Sequence, residues 1–498
     1  MNNHYQVLIV GAGPVGLLLA CKLKKSGINV VIVEKRPTRS THSKALSMNA
    51  ASLAILHSLG IVERFKNVGK EISDISIHWN KQRISRVNYR HLPSCYQYIL
   101  AIPQPETERL LEEYFIELGG EIKRSLTLSA ITVSTNGINA SLDNGASIEC
   151  DYLIGCDGSH SSVRGFAGIQ FTGFDYDMDF YLFDAEVEWE GRTDEVHYFV
   201  EEHGFIIVIP LADGNYRFVV RSPVETETKP SKADYQSVLS QYLPQSIVIK
   251  SVVWESKSKF YNRLASSYRA GNIFLAGDAC HLFSPIGGLG MNTGFQDAWN
   301  LAWKLVSVIR KGEPDKLLNT YDEERRKIAS LLRDSTDAST RLISRIDQDI
   351  GKIRAWLPIF SNRKRSRNLH PQVFSGLSQN YQSSSAIVEG GNLAGKYIPY
   401  LSLDNFAKKL SSYDIVDGEN YHLIINCDNK FWQFTNIIDH YELKVFLIND
   451  NNALGESYLV NDEYILIRPD GVVAIHEKLH ALEAIAYYFE INKIRTLQ

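Results

Sequence analysis

The chain of 498 residues is 44% hydrophobic and 22% charged, the balance of a globular protein, which excludes fibrous and disordered classes. A formal net charge of −4 and a pI near 6.4 supply no broad electrostatic reason to bind nucleic acid or an acidic membrane surface. Cys21, Cys95, Cys150, Cys156, Cys280 and Cys427 form neither a C-x-x-C nor a Cys/His group at metal-ligand spacing, so mostly buried thiols in a reducing compartment and no metal site are expected. The N-terminal MNNHYQ does not lead from a basic stretch into an apolar one, and no run of about 18 apolar residues follows, so a cytoplasmic chain without a membrane span is expected.

In chain order, "YQVLIV" reads as a buried strand, "GAGPVG" as a turn, and the segment from Pro14 as a helix that Gly27 stops before a second strand, "NVVIVE". Helical patterns recur at about 50 to 67 and 105 to 119, and residues 121 to 158 read as short strands separated by "NG" turns. From about 175 to 270 the chain is strand-dominated and predicts a sheet inserted into the first domain. The strand "NIFLAGD" then leads through a glycine-rich loop to the helix "NTGFQDAWNLAWKLVSVIRKG", and a polar-faced helix runs over 315 to 345. Residues 363 to 392 read as a Ser- and Asn-rich linker, and the basic "NRKRSRN" at 362–368 as a solvated loop or helix face. The tail carries its own strands, a "RPDG" turn and a final helix.

The division that follows is a first domain over 1–174 and 269–345, with some strands near 71–100 belonging to the insert. A β-rich domain spans 175–268, a helical or linker segment 346–392 and a third domain 393–498.

Gly11, Gly13 and Gly16 between a strand and a helix aim backbone N–H groups at one point, as a phosphate site requires. Eighteen residues after Gly16, Glu34 ends the second strand, where a carboxylate accepts both hydroxyls of an adenosine ribose and repels a 2′-phosphate. The unit therefore predicts the ADP half of NAD or FAD. Far downstream, Asp278 ends a strand and Gly287, Gly288 and Gly290 precede a helix, a second glycine-rich turn that a nicotinamide enzyme does not need. The "GG" pairs at 119–120 and 390–391 lack the strand-turn-helix context, leaving one dinucleotide fingerprint.

Three motifs, "GAGPVG" with Glu34, "YLIGCDGSHSSVR" at 152–164 and "LAGDACHLFSPIGGLGMNTGFQDAWNLAWKL" from 275, make the sequence resemble the single-component FAD-dependent aromatic hydroxylases related to para-hydroxybenzoate and phenol hydroxylases. The tail resembles the thioredoxin-like C-terminal domain of the phenol and polyketide hydroxylase subgroup through "ILIRPDGVVAIH" at 465–476; without C-x-x-C it should have no dithiol chemistry. The implied fold is α/β: a Rossmann-like FAD-binding domain, an inserted β-sheet substrate domain and a thioredoxin-like C-terminal domain.

The resemblance implies that Gly11, Gly13, Pro14, Val15 and Gly16 cradle the FAD pyrophosphate, that Glu34, with Lys35 and Arg36, binds the adenosine ribose, and that Lys44 and Gln104 contact the cofactor. It assigns Asp157, with Gly158 and Arg164, to the pyrophosphate and to use of reduced nicotinamide, and Asp278 to the ribityl chain. Pro285 and the stretch Gly288, Leu289, Gly290, Met291 and Asn292 would line the isoalloxazine ring, whose reduced anion the positive end of a helix beginning near Asn292 would stabilise by about 0.3 to 2 kcal/mol. Lys44 and Ala51 stand where the family has arginines, and Leu289 where it often has glutamine.

The implied reaction is monooxygenation. NADH or NADPH, bound transiently, reduces FAD; O2 adds at flavin C4a; and the hydroperoxide hydroxylates a phenolic or polycyclic aromatic ring. Tyr181, Phe183, Phe199, Phe205, Phe218 and Tyr261 are candidate pocket aromatics, and His197, His203 and His281 candidate bases, although a core position is the commoner role for each aromatic and a plain surface or core position for each histidine. No catalytic residue is singled out. A halogenase is disfavoured because W-x-W-x-I-P is absent; the alternative from another class is a flavin-holding protein that sequesters a polycyclic compound with little turnover.

Overall fold

The computed structural model describes residues 4–40, 45–135, 137–201, 204–221, 230–243, 247–284, 287–344, 368–369, 372–404, 409–426, 435–441, 443–450, 458–460 and 462–492. It opens with β1 (His4–Val10), α1 (Pro14–Lys25) and β2 (Val30–Glu34), the β-α-β unit expected from the sequence. The helical pattern at 50 to 67 is split: α2 (Ala50–Leu59) ends at Gly60, whose φ of 78° is the left-handed geometry of a helix stop. After the hairpin β3 (Asp74–Trp79) and β4 (Gln82–Asn88) come α3 (Gln104–Glu117) and β5 (Ser147–Gly155).

β6 (Phe171–Glu188), β7 (Glu195–Glu201), β8 (Gly204–Pro210) and β9 (Tyr216–Arg221) follow, then α4 (Lys232–Tyr242) and β10 (Val248–Ala265). The chain returns to the first sheet through β11 (Ile273–Leu275), α5 (Leu289–Lys311) and α6 (Asn319–Ser344). α4 is a helix inside a stretch that reads as strand; its start is the capping box Ser231–Asp234.

Four strands of the first sheet fix the geometry on which the site depends. β11, β5, β1 and β2 are parallel neighbours in that order, so Leu275, Gly155, Val10 and Val33 stand in one row. Every residue just beyond that row emerges at the same carboxyl edge.

The second sheet has nine strands in the order 281–282, β10, β6, β9, β8, β7, β3, β4, 368–369, so the hairpin β3–β4 lies in it. Its two faces follow strand alternation. Phe183, Phe199, Ile206, Val208, Phe218 and Val220 pack with Tyr235 and Leu239 of α4, whereas Leu182, Tyr198, Phe205, Ile207, Val219 and Phe260 face the opposite way.

A six-stranded third sheet contains β12 (His422–Asn426), β13 (Lys444–Asp450), β14 (Glu463–Ile467) and β15 (Val473–Lys478), with α7 (Thr435–Tyr441) between β12 and β13 and α8 (Glu483–Asn492) after β15. β12 and β13 are parallel, β14 pairs antiparallel with β12, and β15 with β14. Buried charge ties this unit to the first: the Glu324 carboxylate of α6 accepts from Arg468 (2.6 Å) and Lys304 (2.9 Å), and Arg468 also donates to Asp470 at 2.5 Å. The "RPDG" turn is thus an ionic plug between units. Removing the cation from such a buried pair leaves carboxylates uncompensated, so Arg468→Met should lower stability by about 3–5 kcal/mol in urea unfolding.

His78 and His197 lie 3.3 Å apart on neighbouring strands, with Phe199 stacked on both rings. Burial pushes both imidazoles down to about 4, from an ordinary value of 6.5. Between those values the unfolded chain binds protons that the folded chain refuses, so stability falls as pH drops from about 6.5 to about 4. Denaturant titrations across that range should give a shallower pH slope for His197→Gln than for the parent.

Candidate active site

A cavity of about 910 Å³ opens at the carboxyl edge of β1, β5 and β11 and continues onto the face of the second sheet opposite α4. Its wall contains Gly11, Gly13, Pro14 and Val15 from the first turn, Glu34, Lys35 and Arg36 from the end of β2, and Gln104 from α3. Asp157, Asp278, Gly288, Gly290 and Met291 complete the set of sequence-predicted residues on that wall. Lys44, Pro285 and His203 lie outside the described residues.

Gly16, Leu289 and Asn292 are not on the wall. A Cβ at Gly16 would lie 2.1 Å from the Gly11 carbonyl oxygen, so this glycine lets α1 close against its own turn. Asn292 is a strut: its carbonyl accepts from the Asn49 N–H (2.9 Å) and the Ser52 hydroxyl (2.7 Å), and its amide donates to Ser47 and Gly288 carbonyls. The second helix of the site starts at Leu289, three residues earlier than the sequence suggests.

Both helices that end at the cavity present bare N-termini. α1 has Gly13 and α5 has Gly288 at the N-cap, and among the described residues neither has a side-chain cap or an acidic residue in its first turn. Unpaired N–H groups and the positive end of the helix dipole therefore face the cavity at two places, each suited to an anion. Gly11, at φ 107°, packs where any Cβ would sit 2.3 Å from the Cys156 carbonyl oxygen; Gly13 has no atom within 4 Å of its Cβ position. The first glycine permits the fold and the second leaves room for a ligand.

Glu34 is buried. One carboxylate oxygen accepts from the Ala12 N–H (2.7 Å), the other from the backbone and Nε of Arg36 (2.9 and 3.0 Å). Burial alone would raise its pKa, but these bonds outweigh it and hold the carboxyl below its usual range. Gln104 accepts from the Ala45 N–H and donates to Glu108 at 2.9 Å. Asp157 Oδ2 caps the short helix at Ser162–Phe166 through the Ser162 N–H (2.7 Å), while its buried Oδ1 has no partner among the described residues. Arg164 is off the wall; it bridges two motifs by donating to the Ser159 and Ala279 carbonyls, and it lies 3.9 Å from the Phe171 ring.

Of the candidate aromatics, Phe205 and Tyr261 line the cavity; Tyr181, Phe183, Phe199 and Phe218 belong to the core under α4. His197 is paired with His78 away from the cavity. His281 contributes to the wall, but its ring is fully buried and donates to Asp297 at 2.6 Å. Arg217 and Tyr198 are among the polar groups on the wall that escaped sequence reading. Arg217 is buried, bidentate to Asp184 (2.6 and 2.7 Å) and 4.5 Å above the Trp254 ring. Tyr198 is raised to about 12 by burial, against a hydrogen bond from the Gly287 backbone, so it is a neutral hydroxyl near pH 7. Strand alternation could have placed both, had the face covered by α4 been known.

The FAD binding domain family matches residues 4–336. The chain is 34% identical over 493 residues to the 12-dehydrotetracycline 5-monooxygenase/anhydrotetracycline 6-monooxygenase of Streptomyces rimosus, covering 94% of this chain and 95% of that protein. It is 31% identical over 377 residues to the rifampicin monooxygenase of Streptomyces venezuelae, covering 72% and 77%. Among solved structures, the anhydrotetracycline hydroxylase OxyS of Streptomyces rimosus superposes with a TM-score of 0.81 at 27% identity, covering 99% of this chain and 100% of that one.

The two glycines of the first turn should separate in a titration. Gly13→Ala adds a methyl to open space facing the cavity, so fluorescence titration with FAD should show affinity weakened about tenfold while the melting temperature of the apoprotein holds. Gly11→Ala should instead lower the melting temperature itself.

Proposed function

The chain belongs to the FAD binding domain family of flavin-dependent aromatic monooxygenases, and from that premise we propose which residues hold the cofactor and which wall receives the ring. It is an FAD-dependent monooxygenase that uses NAD(P)H and O2 to hydroxylate a phenolic or polycyclic aromatic substrate. The single observation that carries the assignment of parts is the convergence of three distant motifs at one carboxyl edge, around a cavity that runs on to an apolar sheet face.

When bound, FAD supplies electron transfer from the nicotinamide and activation of O2. In this reading the bare N-terminus of α1 holds the pyrophosphate and ionised Glu34 accepts the ribose hydroxyls, with Lys35, Arg36, Gln104, Asp157 and Asp278 along the cofactor. The unpaired Asp157 Oδ1 supports a polar ligand at that point. The bare N-terminus of α5, with Gly288, Gly290 and Met291 beside it, holds the ring and favours its reduced anion. Leu289 and Asn292 act behind this surface, Asn292 as the strut that fixes it. Lys44 and Pro285 remain assignments from the resemblance.

The aromatic substrate lies against Leu182, Phe205, Ile207, Val219 and Phe260, a wall that excludes water. Tyr198 and Arg217 are its polar fixtures; the high pKa of Tyr198 makes it a hydrogen-bonding anchor rather than a base. The third unit is read as thioredoxin-like, which a parallel β-α-β followed by a β-hairpin and helix supports. No helix among the described residues is long and apolar enough to cross a membrane, and the cytoplasm is the proposed location.

The test is incubation of FAD-loaded protein with NADH or NADPH in air and a panel of phenols and polycyclic aromatics. A product one oxygen atom heavier, with nicotinamide consumption accelerated by the same compound, is the expected result. Tight ligand binding without acceleration or oxygenated product would support the sequestering alternative.

A further inference from the structure

Behind the flavin-side loop lies a row of buried charge that the proposed reaction does not use. Asp297, on α5, accepts through Oδ2 from the Gly277 N–H (3.2 Å) and His281 Nε2 (2.6 Å), so one oxygen gathers both ends of the loop that carries Asp278. Its Oδ1 accepts from Arg325 Nε at 2.8 Å. Burial would raise the Asp297 pKa, but its interactions with His281 and the Arg325 guanidinium outweigh that and hold the carboxyl below its usual range. All three side chains are fully buried.

Arg325, on α6, uses its remaining donors in two directions. Nη2 donates to the Thr293 carbonyl in the early part of α5 (3.2 Å), and Nη1 to Gln379 Oε1 (2.5 Å) and the Tyr381 hydroxyl (2.6 Å). Gln379 and Tyr381 belong to a segment stitched onto the third sheet: the Tyr381 N–H donates to Gly395, and the Gly395 N–H to Val473 of β15. An unbroken chain of hydrogen bonds thus runs from the cavity loop through Asp297 and Arg325 to the C-terminal unit.

We infer that Arg325 is a positioning residue through which the C-terminal unit, by way of Tyr381 and Gln379, sets the geometry of the 277–281 loop and the start of α5, and hence the affinity and potential of bound FAD. A guanidinium is required because it serves Asp297, Thr293 and Tyr381 from one rigid plane, which an ammonium cannot do. The Tyr381 hydroxyl is the part contributed by the C-terminal side. The inference rests on FAD occupying the cavity, which uptake of FAD by the parent protein checks separately.

The experiment compares Tyr381→Phe and Arg325→Lys with the parent in three readouts: apoprotein melting temperature, FAD dissociation constant and midpoint potential of bound FAD. Tyr381→Phe keeps the ring and its packing, so its apoprotein should melt within a few degrees of the parent. FAD affinity is expected to fall about fivefold or more in Tyr381→Phe, and further in Arg325→Lys. The potential is expected to move because oxidised and reduced FAD lose unequally, a tenfold inequality corresponding to about 30 mV for two electrons. Melting temperatures that fall while both FAD readouts stay at parental values would reduce the row to a fold-stabilising network and overturn the inference. Parental values in all three readouts would overturn it as well.

Discussion

Parallel pairing of β11, β5, β1 and β2 is the constraint on which the site depends. The row Leu275, Gly155, Val10 and Val33 fixes where each strand ends, so the residues beyond it, Asp278, Asp157, Gly11 and Glu34, meet although 267 positions separate the first from the last in sequence. Glycine makes the meeting tight. Gly11 rests on the backbone of Cys156, and Val15 occupies the space that a Cβ on Gly277 or Gly294 would need. The cavity is what remains when four strand ends and two helix starts are packed this closely and each helix start is left bare toward the same space.

Much of this was readable from local chemistry. A strand, a glycine turn, a helix and a terminal acid are contiguous, so the first unit and Glu34 follow from spacing alone. What required three dimensions was the direction a side chain takes. The aromatic run from Tyr181 to Phe218 is apolar on both faces of its strands, and only the position of α4 tells that Phe183 and Phe218 are core while Phe205 meets the cavity. Tyr198 and Arg217 were illegible for the same reason.

Charge was misleading in a different way. Arg325 lies in a segment that reads only as a polar-faced helix, and "RPDG" reads only as a turn. Both are buried because a segment distant in sequence covers them: Tyr381 and Gln379 over Arg325, and α5 with α6 around Arg468. Periodicity within one helix cannot report what folds back onto it. Asn292 is the converse case, a motif residue whose amide is consumed by Ser47, Asn49, Ser52 and Gly288 and which therefore acts by rigidity.

The second sheet separates two tasks by odd and even positions along each strand. In the proposed reading, replacing a residue such as Ile207 or Val219 reshapes the space offered to a ring, while Ile206 and Val220, one step away, go on packing beneath α4. Divergence can therefore proceed on one set of positions with the other held constant. On that reading, a scaffold of this kind can change its clientele through one set of positions while the side chains beneath α4 continue to secure the other face of the sheet.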